Sequence, residues 1–277
     1  MRQRFDVLLV EDDPVVQEAA ARILREEALE VDRTEDVASA VARLRGAEHR
    51  VVLADLMLPG FSGFDLLDRV ARDRPGLPVV LITGYATIDN ALRAFKSGAF
   101  DFLPKPFDVA ELMGVTRRAL RAADSRAWRT RSPGNDGRPG EPATASENRY
   151  FLGQHSWAAI EDSTATFGVA ESFPNLLGSI RGISLPEAGE MVTQGLAFGE
   201  IATGDEAIHR VWSPLSGTVI ESNDGVRQEP DLVNRDPFHS AWLTRVVPSA
   251  LEGQLAALTH RSMATALGSG NGGGKEM

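Results

Sequence analysis

The hydrophobic pattern of residues 1–124 alternates between two periods. Short apolar runs, each long enough for a buried strand, occur at residues 7–10, 51–56, 78–83 and 101–104, with a weaker one near 29–31. Between them, apolar residues recur every three or four positions, which predicts helices over residues 15–26, 37–44, 63–72, 88–96 and 109–123. Five strands alternating with helices predict an α/β doubly wound domain, a parallel sheet with helices on both faces.

The pattern changes beyond residue 150, where short strand-like segments are separated by Gly and Pro. The segments are SWAAI, ATFGVA, GSIRGIS, LAFGEIA, AIHRVWS, GTVIES and AWLTRVV. Seven short strands with turn residues between them predict a mainly β domain, a small barrel or sandwich. One or two helical turns are predicted at 173–177, and a closing helix at 251–259.

Two segments show no apolar period. Residues 125–149 are rich in Pro, Gly, Ser and Arg, which predicts a flexible linker. Residues 263–277 are of low complexity and are predicted to be a disordered tail. The predicted domains are therefore residues 1–124 and 150–262.

Charge and composition exclude several classes of function. The net charge is −10, and residues 150–262 carry 14 acidic side chains against six arginines, so we expect no binding to nucleic acid. No apolar run approaches the roughly 20 residues that span a bilayer, so we expect no membrane segment and a cytoplasmic protein. The absence of Cys excludes disulfides and thiolate catalysis.

The candidate chemistry of the first domain lies where its predicted strands end. Glu11, Asp12 and Asp13 follow the first strand, Asp55 lies in the third, Thr83 ends the fourth, and Lys105 follows the fifth. Taken singly, these residues also fit a solvated turn and a surface charge. In a doubly wound sheet they meet at one edge, where clustered carboxylates favour a hard cation such as Mg²⁺.

These residues lie in four segments, VLLVEDDP, LADLMLPGFSGFDLL, PVVLITGYA and GAFDFLPKPFD, that resemble the receiver domain of two-component response regulators of the nitrogen-regulation type. The resemblance implies a flavodoxin-like fold and assigns roles to particular residues. Asp55 would be the phosphoacceptor, Thr83 and Lys105 would hold the phosphoryl oxygens, and Phe102 would be the switch aromatic. Mg²⁺ would be bound by Glu11, Asp12, Asp55 and the Met57 carbonyl.

The same resemblance implies partners. A sensor histidine kinase or a phosphotransfer protein would phosphorylate Asp55. The face formed by residues 88–96, the last strand and residues 109–123 is the expected docking surface, including for a homodimer that forms on phosphorylation. Met57 and Tyr85 are bulky beside the expected path of a hydrolysing water, so we expect slow autodephosphorylation.

The second domain resembles the H protein of the glycine cleavage system, a relative of lipoyl domains. The resemblance rests on HSW, ATFGVAESFPNLLGSI, LPEAGEMVTQG, WSPLSGTVIESN and PDLVNRDPFHSAWLTRVVPS. It implies a hairpin whose tip carries a lipoylated lysine, but Asp205 or Glu206 occupies that position here. The only lysines of the chain are Lys96, Lys105 and Lys275, so we expect a domain that carries no lipoyl group.

The remaining candidates in the second domain are weak. His155, His209 and His239 lack metal-ligand spacing and are interpreted as satisfied or exposed histidines. One interpretation of Asp205, Glu206 and His209 is a catalytic acid and base at the hairpin tip. We favour the other interpretation, an exposed acidic turn.

The leading hypothesis is a response regulator, not an enzyme, whose H-like domain is a protein-interaction output. The alternatives are a phosphorylation-controlled component of glycine cleavage, a decoy partner of lipoyl enzyme complexes, and a phosphate sink.

Overall fold

The computed structural model describes residues 3–125 and 148–262, without the side chains at 148, 261 and 262. Most of the predicted linker 125–149 and all of the predicted tail 263–277 lie outside these residues. The described residues form an α/β first domain and a mainly β second domain, as the pattern predicted.

The first domain alternates strands and helices throughout. Its elements are β1 Arg4–Val10, α1 Pro14–Glu26, β2 Val31–Thr34, α2 Val37–Gly46, β3 Glu48–Asp55, α3 Gly63–Asp73, β4 Val79–Thr83, α4 Ile88–Lys96, β5 Asp101–Pro104 and α5 Val109–Asp124. The five strands are parallel in the order β2-β1-β3-β4-β5, the flavodoxin-like order. The fold class is confirmed; β2 starts at Val31, two residues after the start of the predicted run 29–31.

Local sequence explains where the helices begin. Asp13 accepts hydrogen bonds from the backbone of Val15 and Val16 at the start of α1. Ser62 and Asp108 begin α3 and α5, each in a capping box with an acidic residue three positions on. The apolar side chains of the strands are buried beneath helices on both faces of the sheet. The polar residues that follow the strands therefore lie at the edge of this core.

The second domain contains ten strands rather than seven. They are β6 Asn148–Leu152, β7 Ser156–Glu161, β8 Thr164–Val169, β9 Ile180–Ser184, β10 Met191–Val192, β11 Ala197–Thr203, β12 Ile208–Trp212, β13 Gly217–Ser222, β14 Thr244–Pro248 and β15 Thr259–Ser262. Seven form one sheet in the order β10-β13-β14-β8-β7-β6-β15, and β12-β11-β9 form another. A shared apolar core lies between the two sheets.

The helical predictions for this domain were partly wrong. A short 3₁₀ helix spans Pro174–Leu176, α6 spans Asp224–Gln228, and α7 spans Leu232–Arg235. The predicted closing helix is only α8, Leu251–Leu255, because the chain then turns into β15 and pairs with β6. That pairing supplies backbone hydrogen-bond partners along one side of β6, which a longer helix would have left unpaired.

The second domain packs against α4, β5 and α5 of the first domain, which we call the docking face. Leu152 and Trp212 of the second domain belong to the same hydrophobic cluster as the first-domain core. The predicted docking surface is therefore covered, and what covers it is the same chain. No helix within residues 3–125 and 148–262 is long and apolar enough to cross a membrane.

Candidate functional site

Three acidic side chains converge at the carboxyl ends of β1 and β3. Glu11, Asp12 and Asp55 each bring a carboxylate oxygen within 4.8 Å of the others. Glu11 is only 2% exposed and Asp55 7%, whereas Asp12 lies at the surface. Burying two carboxylates side by side is unfavourable unless positive charge compensates them.

Lys105 supplies one such charge. Its Nζ lies 2.7 Å from Glu11 Oε2 and 2.5 Å from Asp55 Oδ2. Burial raises the pKa of Glu11, and the Asp55 charge adds to that rise although Lys105 opposes it. Burial alone would lower the pKa of Lys105, but its hydrogen bonds and charge contacts with Asp55 and Glu11 together raise that pKa. At neutral pH the lysine therefore stays an ammonium bridging two acids.

The cluster has oxygens left for a cation. Glu11 Oε1 is buried and has no hydrogen-bond partner, and Asp12 is exposed beside it. Asp55 Oδ1 accepts a hydrogen bond of 2.8 Å from the Met57 backbone N–H. An unpartnered buried carboxylate oxygen next to two further acids fits a hard divalent ion. The residues present therefore match a metal site of the oxygen-donor type.

Thr83 and Phe102, also predicted from sequence, lie on the neighbouring strands β4 and β5. Thr83 is fully buried, and its Oγ1 accepts a 3.0 Å hydrogen bond from the Tyr85 backbone N–H. Phe102 is 2% exposed, with its ring edge-on to Trp212 at 6.1 Å between centroids. The Thr83 carbonyl accepts a 2.7 Å hydrogen bond from the Lys105 backbone N–H, so Thr83 links Lys105 to the β4–α4 loop. Phe102 contacts the second domain.

A buried polar cluster at the docking face escaped sequence reasoning. Asp101 at the start of β5 forms an ion pair with Arg118 of α5 and accepts a 3.1 Å hydrogen bond from Trp212 Nε1. His155 Nε2 lies 2.9 Å from the Phe100 carbonyl. Burial lowers the pKa of His155 to about 4, so the imidazole is neutral.

The hairpin formed by β11 and β12 ends at this face. Its tip, residues 204–206, is an exposed acidic turn, as expected, and it also contacts α5. The Asp205 carbonyl accepts a 2.9 Å hydrogen bond from Arg117, and Asp205 Oδ2 lies 3.3 Å from both Arg117 and Arg121. His209 is buried, and burial lowers its pKa to about 3. Glu206 is exposed.

Burial of Asp205 would raise its pKa. A hydrogen bond from Thr203 and the charges of Arg117 and Arg121 outweigh that effect and lower the pKa. The carboxylate is therefore ionised against α5 at neutral pH, and the tip contributes a negative charge to the contact between the domains.

Comparisons with known proteins find two family models that match the chain. Residues 7–117 match the family model described as response regulator receiver domain, and residues 149–268 match the model described as glycine cleavage H-protein. The nitrogen assimilation regulatory protein NtrX of Azorhizobium caulinodans is 36% identical over 117 residues, which are 42% of this chain and 26% of that protein.

Two solved structures illustrate the two halves. The receiver domain of NtrX from Brucella abortus is 38% identical, with a TM-score of 0.40, and the match covers 42% of this chain and 98% of that one. A glycine cleavage system H protein from Mycobacterium marinum is 28% identical, with a TM-score of 0.35, covering 37% and 84%. The chain spans about a quarter of NtrX and NtrC relatives.

Proposed function

Because the chain joins a response regulator receiver domain to a glycine cleavage H-protein-like domain, we propose that it is a cytoplasmic two-component response regulator. In this proposal Asp55 accepts a phosphoryl group from a sensor histidine kinase or a phosphotransfer protein. The H-like domain is the output and binds another protein. The observation that carries the proposal is the ammonium of Lys105 bridging Glu11 and Asp55 within a three-carboxylate cluster.

Each residue of the pocket has a chemical role in this reaction. Asp55 forms the new bond from a carboxylate oxygen to phosphorus while the bond from phosphorus to the donor nitrogen breaks. Lys105 places its charge beside Asp55, where the phosphoryl oxygens arrive, and the Thr83 hydroxyl is a donor for one of them. The proposed ligands of Mg²⁺ are Glu11, Asp12, Asp55 and the Met57 carbonyl. A bound Mg²⁺ would supply the remaining positive charge opposite the phosphoryl oxygens.

The second domain supports a binding role and not a carrier role. The hairpin tip carries Asp205 and Glu206, and a carboxylate cannot form the amide by which lipoate is attached to lysine. Lys96 lies on α4 and Lys105 in the acidic pocket, so no lysine of the described residues lies in the second domain.

A phosphorylation assay on the full chain tests the proposal. The protein is incubated with acetyl phosphate and Mg²⁺, and its intact mass is measured. We expect the gain of one phosphoryl group, its loss in Asp55→Asn, and its absence when EDTA replaces Mg²⁺. Asp68→Asn, an exposed acid of α3, is the matched control and should gain the group. Equal labelling of Asp55→Asn and Asp68→Asn would refute Asp55 as the acceptor.

A further inference from the structure

We propose that the hairpin β11–β12 is an intramolecular latch. In the closed state it holds the H-like domain over the docking face, and phosphorylation of Asp55 opens it. The coupling to Asp55 rests on the proposed function, whereas the latch itself does not. The occupant of the docking face is thus the hairpin of the same chain, held at two places by different chemistry.

The first place is the hairpin tip. Arg117 and Arg121 lie one helical turn apart on α5, and both face Asp205. Arg121 also donates to the carbonyls of Leu176 and Leu177, the latter just after the 3₁₀ helix. Farther along the hairpin, Arg210 forms an ion pair with Glu111 of α5. The two elements therefore match in charge along their length.

The second place is the end of the hairpin at Trp212. Its ring lies between Phe95 of α4 and Phe102 of β5, at 5.8 and 6.1 Å between centroids. Its Nε1–H donates a hydrogen bond to Asp101, so both the apolar ring and the N–H of the indole have partners at the docking face. His155 adds a tilted contact to Phe95 at 4.8 Å.

Glycines allow the backbones to approach closely at this contact. A Cβ at Gly114 of α5 would lie 2.5 Å from the Ile208 carbonyl oxygen of β12. Gly153 lies against Phe95, and Gly195 against Leu92, with positive φ values of 54° and 77°. A glycine inside a helix lowers helix stability, so Gly114 indicates a surface shaped for the domain that covers it.

A short path joins the latch to the phosphoacceptor pocket. The closed state has Lys105 on Asp55 and the Thr83 hydroxyl accepting from Tyr85. The Tyr85 carbonyl in turn accepts from the Asn90 side chain of α4. A phosphoryl group on Asp55 competes for Lys105, because it adds charge and acceptor oxygens. It also offers an acceptor to the Thr83 O–H, and rotation of the hydroxyl toward that acceptor would move Oγ1 away from the Tyr85 N–H.

Drawing Thr83 toward that group removes a hydrogen bond that positions the β4–α4 loop. Helix α4 follows this loop and carries Leu92 and Phe95, which contact the second domain. The closed state therefore depends on the contacts of the unphosphorylated pocket. A phosphoryl group that makes stronger contacts in the open arrangement shifts the population toward the open state.

Hydroxyl-radical footprinting of the full chain tests the latch. Trp212 and Trp157 are both 2% exposed, but only Trp212 lies at the docking face, since Trp157 donates to the Pro237 carbonyl inside the second domain. Oxidation of Trp212 relative to Trp157 therefore reports opening, whereas unfolding exposes both. Asp205→Lys should raise the ratio roughly tenfold, since attraction to two arginines becomes repulsion.

The matched control is Glu206→Lys, the same charge change at the neighbouring exposed position, and it should leave the ratio unchanged. Adding Arg117→Glu to Asp205→Lys restores opposite charges and should lower the ratio again. An unchanged ratio in Asp205→Lys, or an equal rise in Glu206→Lys, would overturn the latch.

Phosphorylation is tested in the same assay with acetyl phosphate and Mg²⁺. We expect the Trp212 ratio to rise in wild type and not in Asp55→Asn. A protein that gains the phosphoryl mass without a change in the ratio refutes the coupling and leaves the proposed function intact. A protein that gains no mass refutes the proposed function and the coupling together, while the result for Asp205→Lys still decides the latch.

Discussion

Substituting Gly114 by Ala should open the contact between the two domains without harming the helix that carries it. Gly114 lies in the interior of α5, where alanine is favoured over glycine by about 1 kcal/mol. In the closed state, however, the new methyl group would meet the Ile208 carbonyl oxygen at 2.5 Å and the Ala207 Cβ at 3.4 Å. The substitution therefore stabilises α5 and destabilises only the docked arrangement.

The size of the effect follows from this overlap. Ordinary contact begins near 3.4 Å, so β12 and α5 must separate by 3.4 − 2.5 = 0.9 Å. The Ile208 carbonyl belongs to the backbone of β12, and the new methyl group is fixed to the backbone of α5, so neither can rotate away. Overpacking of this kind costs about 1–3 kcal/mol. That range corresponds to a shift toward the open state of roughly 5- to 150-fold.

The assay is oxidation of Trp212 relative to Trp157, together with thermal unfolding of the full chain. Gly46→Ala is the control, because Gly46 ends α2 and a Cβ there meets nothing within 4 Å. We expect Gly114→Ala to expose Trp212 and Gly46→Ala to leave it protected. If Trp212 stays equally protected in both variants, the close approach of α5 and β12 is not the arrangement in solution, and the latch argument loses its geometric basis.

Three further predictions concern buried polar groups. Burial lowers the pKa values of His155 and His209 from 6.5 to about 4 and about 3, so below pH 6.5 the unfolded chain binds more protons than the folded chain. As the pH falls from 6.5 to 4, the free energy of unfolding should therefore decrease by up to about 1.4 kcal/mol per pH unit for each histidine, measured by urea unfolding. The same pH slope in the variant with both histidines replaced by Gln would contradict this. Lys105→Gln should abolish labelling by acetyl phosphate, because the charge beside Asp55 is lost; full labelling would exclude the proposed role. Trp212→Phe should lower stability toward urea by roughly 1–3 kcal/mol, since Asp101 loses a buried donor, and an unchanged midpoint would show that this bond contributes nothing.

The fold and the acidic pocket were predictable because each depends on signals that lie along the chain. Apolar runs mark the strands, and polar residues directly after them meet at one edge of a parallel sheet, whatever the loops between them do. Glu11 and Asp55 are 44 positions apart in the sequence, yet the sheet order brings their carboxylates to one lysine. The strand count of the second domain was less predictable, because β10 has only two residues and β15 is defined by its pairing with β6.

The docking of the two domains was not predictable, because the hydrophobic periodicity of neither half of the sequence indicates which surfaces meet. Arg118 fits an amphipathic helix as a surface residue. In the structure it is buried beside Asp101, with its guanidinium over the rings of Phe100 in the first domain and Phe173 in the second. His155 and His209 have no spacing that marks an interface. Gly114 was the signal that could have been used, since an interior helix glycine requires a packing reason.

The acidic tip has a physical reason that the missing lysine alone does not give. A lysine at position 205 would lie against Arg117 and Arg121, and the like charges would repel the hairpin from α5. Attaching lipoate to that lysine would remove its charge, but it would then place a long acyl chain between two packed elements. A carrier arm and a latch are therefore incompatible at this position. Asp205 therefore suits a contact with α5 that a lysine or a lipoyl-lysine at the same position would not make.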